Sequence, residues 1–363
     1  MEEVSVRTLV ASLAFLAGIV FGATAQKTHF CTMGAISDVV VMEDFRRFRS
    51  WLLAIAVGMV VSQAMWATGL VDLDASIYRT ANLGWAGAII GGLMFGFGMT
   101  LAGGCGNKAL VRIGGGNLKS AVVFMVVGIT AYMTLRGLIA LARIELEGAT
   151  NVNLGMPQGL DAILGAVTGI PSAALRLVLT AAAAGAILWW CFKDEAFRTS
   201  TKDVVAGVVI GLMVPTGWYI TGVVGNDEFE PTPLFSFTFI APIGESLQYL
   251  MTFTGASINF GIATVGGVIT GSFLMAVATG TFRVEAFTGA RDMIGNLSGA
   301  VLMGAGGVLA LGCTIGQGLT GLSTLAVGSV LAFLSILAGG FYGIKYQEEG
   351  SFGGALRAAL TRG

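Results

Sequence analysis

Nine stretches of roughly twenty mostly apolar residues recur along the chain, each the length that crosses the hydrocarbon core of a bilayer. They cover about 6–25, 51–70, 84–103, 118–142, 172–191, 203–225, 257–280, 288–312 and 326–345. Lipid is therefore the main solvent, and backbone polar groups must be satisfied inside helices. Composition decides the same question. Of 363 residues, 55% are hydrophobic and 11% are charged, against about 25% charged in soluble domains. That is too little polar surface to cover a soluble fold of this size, which excludes a soluble enzyme. A net charge of −1 gives no field to draw nucleic acid. The acidic start, Met1-Glu2-Glu3, does not read as a cleaved signal peptide, so the first apolar stretch is expected to remain in the mature protein.

The few charges report topology. With alternating crossings, fifteen Lys/Arg fall on one face, among them Arg46, Arg47, Arg49, Lys108, Arg112, Lys119, Arg283 and Arg362. Five fall on the other: Arg7, Arg79, Arg136, Arg143 and Arg176. The positive-inside rule makes the first face cytoplasmic. This predicts an outside N-terminus and a cytoplasmic C-terminus in a bacterial inner membrane. The loop Asn226–Glu230 is acidic, as suits the outer face. Shorter apolar, Gly-rich pieces lie near 30–41, 105–113, 158–171, 234–253 and 313–324. They are too short to span, and those opening at Gly-Cys are read as re-entrant helices whose backbone is buried in protein or lines a wet cavity.

Residues 87–105 align without gaps on 295–313, with eight of nineteen positions identical, including Gly91/Gly299, Gly98/Gly306, Gly104/Gly312 and Cys105/Cys313. A weaker match pairs Ala17–Gly22 with Ala206–Gly211. Two halves, 5–145 and 203–345, are thus expected, with a linker 146–202 carrying the central span and a cytoplasmic tail 346–363. Four spans per half and a single joining span force the second half to run upside down. Inverted repeats place a solute site at their interface. The predicted fold class is an all-α membrane protein of about nine transmembrane helices plus short re-entrant helices. Many of the 55 glycines recur at spacing four, as in Gly18/Gly22 and Gly207/Gly211, a pattern for close helix packing.

Three cysteines share a setting. Cys31, Cys105 and Cys313 each open a short apolar segment with small residues beside them, Gly34, Gly104 and Gly312. Cys191, after Trp189-Trp190, reads as structural. No pair has CxxC spacing, and His29 is the one histidine, so zinc chemistry and a bound cofactor are not expected. Three chemistries remain open for such thiols: a soft-metal relay, redox or persulfide catalysis, and recognition of a sulfur-bearing anion. Helix N-termini favour anions, and neutral thiols add weak, polarizable donors; apolar burial keeps a thiol neutral. Lys108 stands one turn after Cys105, and Gln317 follows Cys313 by four, placing both as further contacts for a solute. Asp38 and Glu245 are candidate proton sites.

On Phe30-Cys31-Thr-Met-Gly34-Ala35 with Asp38, Gly103-Gly-Cys105 and Gly312-Cys-Thr-Ile-Gly-Gln-Gly318, the chain resembles the YeeE/YedE family of bacterial inner-membrane sulfur-compound transporters. Residues 104–119 resemble its YedE-type branch. The resemblance implies thiosulfate uptake through an hourglass-shaped bundle of inverted halves, with Cys31, Cys105 and Cys313 passing the anion by S–H···S hydrogen bonds. It also implies a separate TusA-type sulfur-carrier partner in the cytoplasm. Selenium-compound transport and a membrane sulfurtransferase stand as alternatives. The charge asymmetry predicts that alkaline phosphatase fused after Gly155 is active and the same reporter fused after Gly116 is inactive; the reverse pattern would invert the topology.

Overall fold

The structure is a computed structural model describing residues 5–227 and 231–361. Arg362 and residues 228–230 of the acidic loop lie outside the described residues. In chain order the helices are α1 (Val6–Thr28), α2 (Thr32–Ser37), α3 (Arg46–Ala67), α4 (Trp85–Leu101), α5 (Gly106–Gly114), α6 (Leu118–Arg136), α7 (Ile139–Thr150) and α8 (Leu160–Thr168). They continue with α9 (Ser172–Phe192), α10 (Glu195–Thr199), α11 (Thr201–Tyr219), α12 (Ile240–Met251), α13 (Phe260–Ala278), α14 (Ala290–Leu309), α15 (Val327–Glu349) and α16 (Phe352–Thr361). Strands β1 (Asn82–Leu83) and β2 (Val152–Asn153) form one antiparallel pair. α2 runs on as a π-turn, Asp38–Met42, and a short helix over 314–323 is built round a second, Gly316–Gly321.

Among the described residues, nine stretches are long and apolar enough to cross a membrane, carried by α1, α3, α4, α6, α9, α11, α13, α14 and α15. The protein is an all-α, multi-pass membrane protein. The nine match the stretches read from hydropathy, because twenty apolar residues leave the backbone no alternative in lipid. With alternating crossings, α1 begins at what is here termed the near face and ends at the far face. α5 and α12 have 9 and 12 residues, about 14 and 18 Å at 1.5 Å per residue, and cannot cross. The segment 158–171 forms α8, ahead of α9 at the near face.

Small residues set the helix pairing. At Gly18 a β-carbon would meet the Thr264 carbonyl at 2.6 Å, and at Gly207 the Ser50 carbonyl at 2.8 Å. Thus α1 lies directly on α13, and α11 on α3. α4 packs on both α14 and α15, and α14 also on α6. Along α4 and α14, Gly91 faces Gly306 while Gly98 faces Gly299, so the two helices run antiparallel. Gly91 also meets Ala310, and Gly299 meets Ala102. In the alignment of 87–105 with 295–313, each of these contacts becomes another when the two segments exchange places.

Charged groups gather at the far rim. Arg46 pairs with Asp44 at 2.6 Å, Arg47 with Asp38 at 3.0 Å, and Arg49 with Asp194. The Arg46 guanidinium holds the Asp44 carboxyl below its ordinary range. A branched side chain at the α4–α14 crossing forces the backbones apart, so Gly98→Val should lose about 1–3 kcal/mol. Gly185 has open space around it, and Gly185→Val should leave the thermal midpoint in detergent within a degree or two of wild type. Equal effects of the two changes would contradict the packing account.

Candidate functional site

Cys31, Cys105 and Cys313 sit at the same kind of joint. A long helix ends, the residue two before the cysteine adopts left-handed backbone, and the cysteine opens a short helix. The left-handed residues are His29 (φ 56°), Gly103 (φ 69°) and Leu311 (φ 56°). After α4, Gly104 N donates to the Met99 carbonyl at 2.8 Å; after α14, Gly312 N donates to the Gly307 carbonyl at 2.8 Å. These bonds close the ends of the long helices in the Schellman manner. The chain then reverses and the next helix starts deep inside the protein.

A helix start leaves backbone N–H groups without intrahelical partners. Here sulfur takes part of that role. Cys31 Sγ accepts from Gly34 N at 3.5 Å, and Cys313 Sγ accepts from Gly316 N at 3.5 Å. Cys105 donates to Asn107 Oδ1 at 2.6 Å. The cysteines also meet one another. Cys31 and Cys105 present their thiols to each other, and the Cys105 thiol lies beside Thr314, next to Cys313. The Phe239 backbone lies beside Cys313 Sγ. Phe239 opens α12, so four short helices begin around one buried point. The three thiols are free, and their residues are 5%, 0% and 0% exposed. Thr314 Oγ1 and Asn107 Nδ2 are buried there without a hydrogen-bond partner among the described residues.

Two cavities approach this point from opposite faces. The near one, about 420 Å³, is lined by Tyr78, Arg136, Thr238, Glu245 and Gly312, among others. The far one, about 610 Å³, is lined by His29, Lys108, Arg112, Lys119 and Arg283, and by Glu285 and Asp292. The far vestibule is thus basic on balance, while the near one holds one arginine and one carboxylate. Glu245 accepts from Asn259 Nδ2 at 2.8 Å.

The remaining sequence candidates take definite places. Lys108 lines the far vestibule one turn from Cys105. Gly104 carries the Lys108 stem 3.0 Å from where a β-carbon would stand. Gly312 lies 3.2 Å, by the same measure, from Gln317 N, so the first turn of helix 314–323 rests on it. Gly34 accommodates the Arg47 guanidinium, which pairs with Asp38. Gln317 is buried; its amide nitrogen donates to the Ala310 carbonyl and its oxygen has no hydrogen-bond partner among the described residues. That amide therefore braces the turn after α14. Cys191 lies apart, against Leu53 and Phe197, with its thiol on the Arg49 carbonyl at 3.4 Å. Sequence reasoning passed over Asn107, Thr314 and the Phe239 backbone. A polar residue just inside each short apolar helix was the available signal for the first two; nothing marks a helix start at a Phe.

Nine helices long and apolar enough to cross a membrane among the described residues, two opposed vestibules and a buried neck of thiols and helix starts describe a multi-pass membrane protein with a route for a small solute. The chain belongs to the Sulphur transport family, which matches it over residues 27–342, in agreement with the YeeE/YedE resemblance. It is similar to the thiosulfate transporter TsuA of Escherichia coli, 27% identical over 84% of this chain and 85% of that protein. The thiosulfate transporter TsuA of Spirochaeta thermophila is 26% identical over 89% of this chain and 95% of that protein. The probable transporter YedE of Escherichia coli is 37% identical over 95 residues, 26% of this chain and 21% of that protein.

The juxtaposition of Cys31 and Cys105 has a direct chemical check. One equivalent of Hg(II) should bridge them and protect both from alkylation together, leaving Cys191 untouched. Independent protection of the two thiols would contradict the geometry.

Proposed function

We propose that this protein carries thiosulfate, or a similar inorganic sulfur oxyanion, across the bacterial inner membrane into the cytoplasm, handing it along Cys313, Cys105 and Cys31. The observation that carries this reading is the neck itself: three buried thiols in sequence, at the starts of short helices, between vestibules opening on opposite faces. The names of the two long matches point to the same solute.

The chemistry follows from the donors available. A naked thiosulfate dianion in a low-dielectric neck needs donors on every side. Backbone N–H groups at helix starts supply oriented partial positive charge. Neutral thiols donate weakly to its terminal sulfur and hold it loosely enough to release. In this reading the near face is outside and the far face cytoplasmic. The anion passes Arg136 and Gly312 to Cys313, then Cys105 between Gly104 and Thr314. It leaves by Cys31, above Gly34, toward Lys108 and the basic vestibule. Inward movement of a dianion works against about 2.3 kcal/mol per charge per 100 mV, so net uptake draws on a concentration gradient, rapid consumption inside, or a coupled ion.

The halves 5–145 and 203–345 are read as inverted repeats about an axis in the membrane plane, with 146–202 linking them and 346–363 as a cytoplasmic tail. The interchangeable contacts of α4 and α14 support that reading. A separate TusA-type carrier would take the anion at the basic far vestibule. A sulfurtransferase would instead require an accessible thiolate, whereas these three thiols are buried.

The test is growth on thiosulfate as sole sulfur source of a bacterial strain lacking other sulfate and thiosulfate import. Wild-type protein should restore growth. Cys105→Ala and Cys313→Ala should abolish it at normal membrane abundance, and Cys191→Ala should retain it. No growth with verified wild-type expression, or a stable persulfide on one cysteine during turnover, would overturn the reading.

A further inference from the structure

The linking segment between the two halves reaches the C-terminal end of the Cys313 helix, where Leu160 N donates to the Leu325 carbonyl at 3.0 Å. The last carbonyls of such a helix have no partners within it. Here the Thr324 carbonyl accepts from Arg79 Nη1 at 2.9 Å, and the Ser323 carbonyl accepts from Gln63 Nε2 at 2.6 Å. Each donor is itself held. Arg79 forks onto Asp161 with bonds of 2.8 and 2.9 Å and pairs with Asp74 at 2.5 Å. Gln63 Oε1 accepts from Arg176 Nε at 2.7 Å, and Arg176 closes the ring onto Asp74 at 3.0 Å. Trp66 lies 3.8 Å from the Arg176 guanidinium.

Gln63, Arg79, Asp161 and Arg176 are 1%, 3%, 2% and 1% exposed. Burying two guanidiniums and a carboxylate is costly, so net stability by itself gives no reason for such a set. What it fixes here is the end of a helix whose other end is Cys313. Asp161 belongs to α8 and Arg176 to α9, outside both repeated halves. The corresponding short helix on the far side, α5, is tied by backbone: Gly115 and Gly116 carbonyls accept from Arg283 N at 3.0 Å and Glu285 N at 3.3 Å. The Cys313 helix has its own backbone ties, Leu160 N to the Leu325 carbonyl at 3.0 Å and Val327 N to the Gln158 carbonyl at 2.9 Å, and carries the buried side-chain cluster in addition.

We propose that Arg79 and Gln63 are positioning residues for Cys313. Locked by Asp161, Asp74 and Arg176, they fix helix 314–323 at its C-terminal end and thereby set where its N-terminal thiol stands in the neck. Their positive ends also complement the negative pole of that helix. The linking segment is then a clamp on one thiol of the relay. This inference rests on the thiol-relay reading above for its functional consequence, but the position of the thiol can be read independently.

The experiment uses the full chain in proteoliposomes. Alkylation of each of the four cysteines by N-ethylmaleimide is followed by mass spectrometry, alongside uptake of radiolabelled thiosulfate. In Gln63→Glu the Arg176 contact survives and the donor to Ser323 is lost; in Arg79→Gln the fork to Asp161 is lost. Both should speed alkylation at Cys313 about tenfold and slow uptake by a similar factor, with Cys191 alkylation unchanged. Arg79→Lys, which keeps the charge and one donor, should recover at least half of the uptake. Wild-type alkylation at Cys313 in both variants, or equal acceleration at Cys191, overturns the clamp. Should Arg79→Gln fail to accumulate, Gln63→Glu decides the matter. Alkylation needs no substrate, so a wild-type protein that imports no thiosulfate sinks the functional reading and leaves the clamp to be judged on Cys313 alone.

Discussion

Everything at the centre of this protein follows from one requirement: a helix that starts at membrane depth exposes N–H groups that no water is present to satisfy. Four short helices start there. The thiols of Cys31 and Cys313 accept one such N–H each, and the start of α12 at Phe239 lies beside Cys313. These capping contacts are soft, because sulfur is a weak acceptor. A solute with harder acceptor oxygens can replace them at small cost, and the oriented donors are already in place. The same arrangement that solves a folding problem thus leaves a neck suited to an anion without a fixed cationic cage.

Close helix packing makes this geometry possible. The starts converge because α4 and α14 cross at Gly91–Gly306 and Gly98–Gly299 with almost no side chain between them. A wider crossing would carry Cys105 and Cys313 apart and open the neck. The left-handed residues at His29, Gly103 and Leu311 then turn the chain inward at each joint. Non-glycine residues pay a steric penalty there, which the buried surroundings must offset.

Much of this was legible in sequence, and the reasons are physical. Spans are readable because lipid demands long apolar runs, and the α4–α14 contact was foreshadowed by glycines in register ahead of Cys105 and Cys313. The three cysteines stood out because each followed a helix end and opened a short segment. Other parts left no trace. Leu311 carries no mark of its left-handed backbone, which a glycine would have announced. Phe239 opens the fourth short helix without a cysteine to draw attention. Arg79 and Arg176 counted only as outer-face charges, since Asp161 and Gln63 lie 82 and 113 residues away from them along the chain. The bond from the Gln317 amide nitrogen to the Ala310 carbonyl, seven residues back, was likewise not marked by its spacing from Cys313.

The central claim is that the anion rests among thiols and helix starts in the neck, and the most direct measurement is an experimental structure with thiosulfate bound, using anomalous scattering from sulfur. The account predicts a two-sulfur anion between Cys313 and Cys105, its oxygens facing backbone N–H groups. Saturating thiosulfate found elsewhere, with the neck still closed by protein contacts alone, would contradict it.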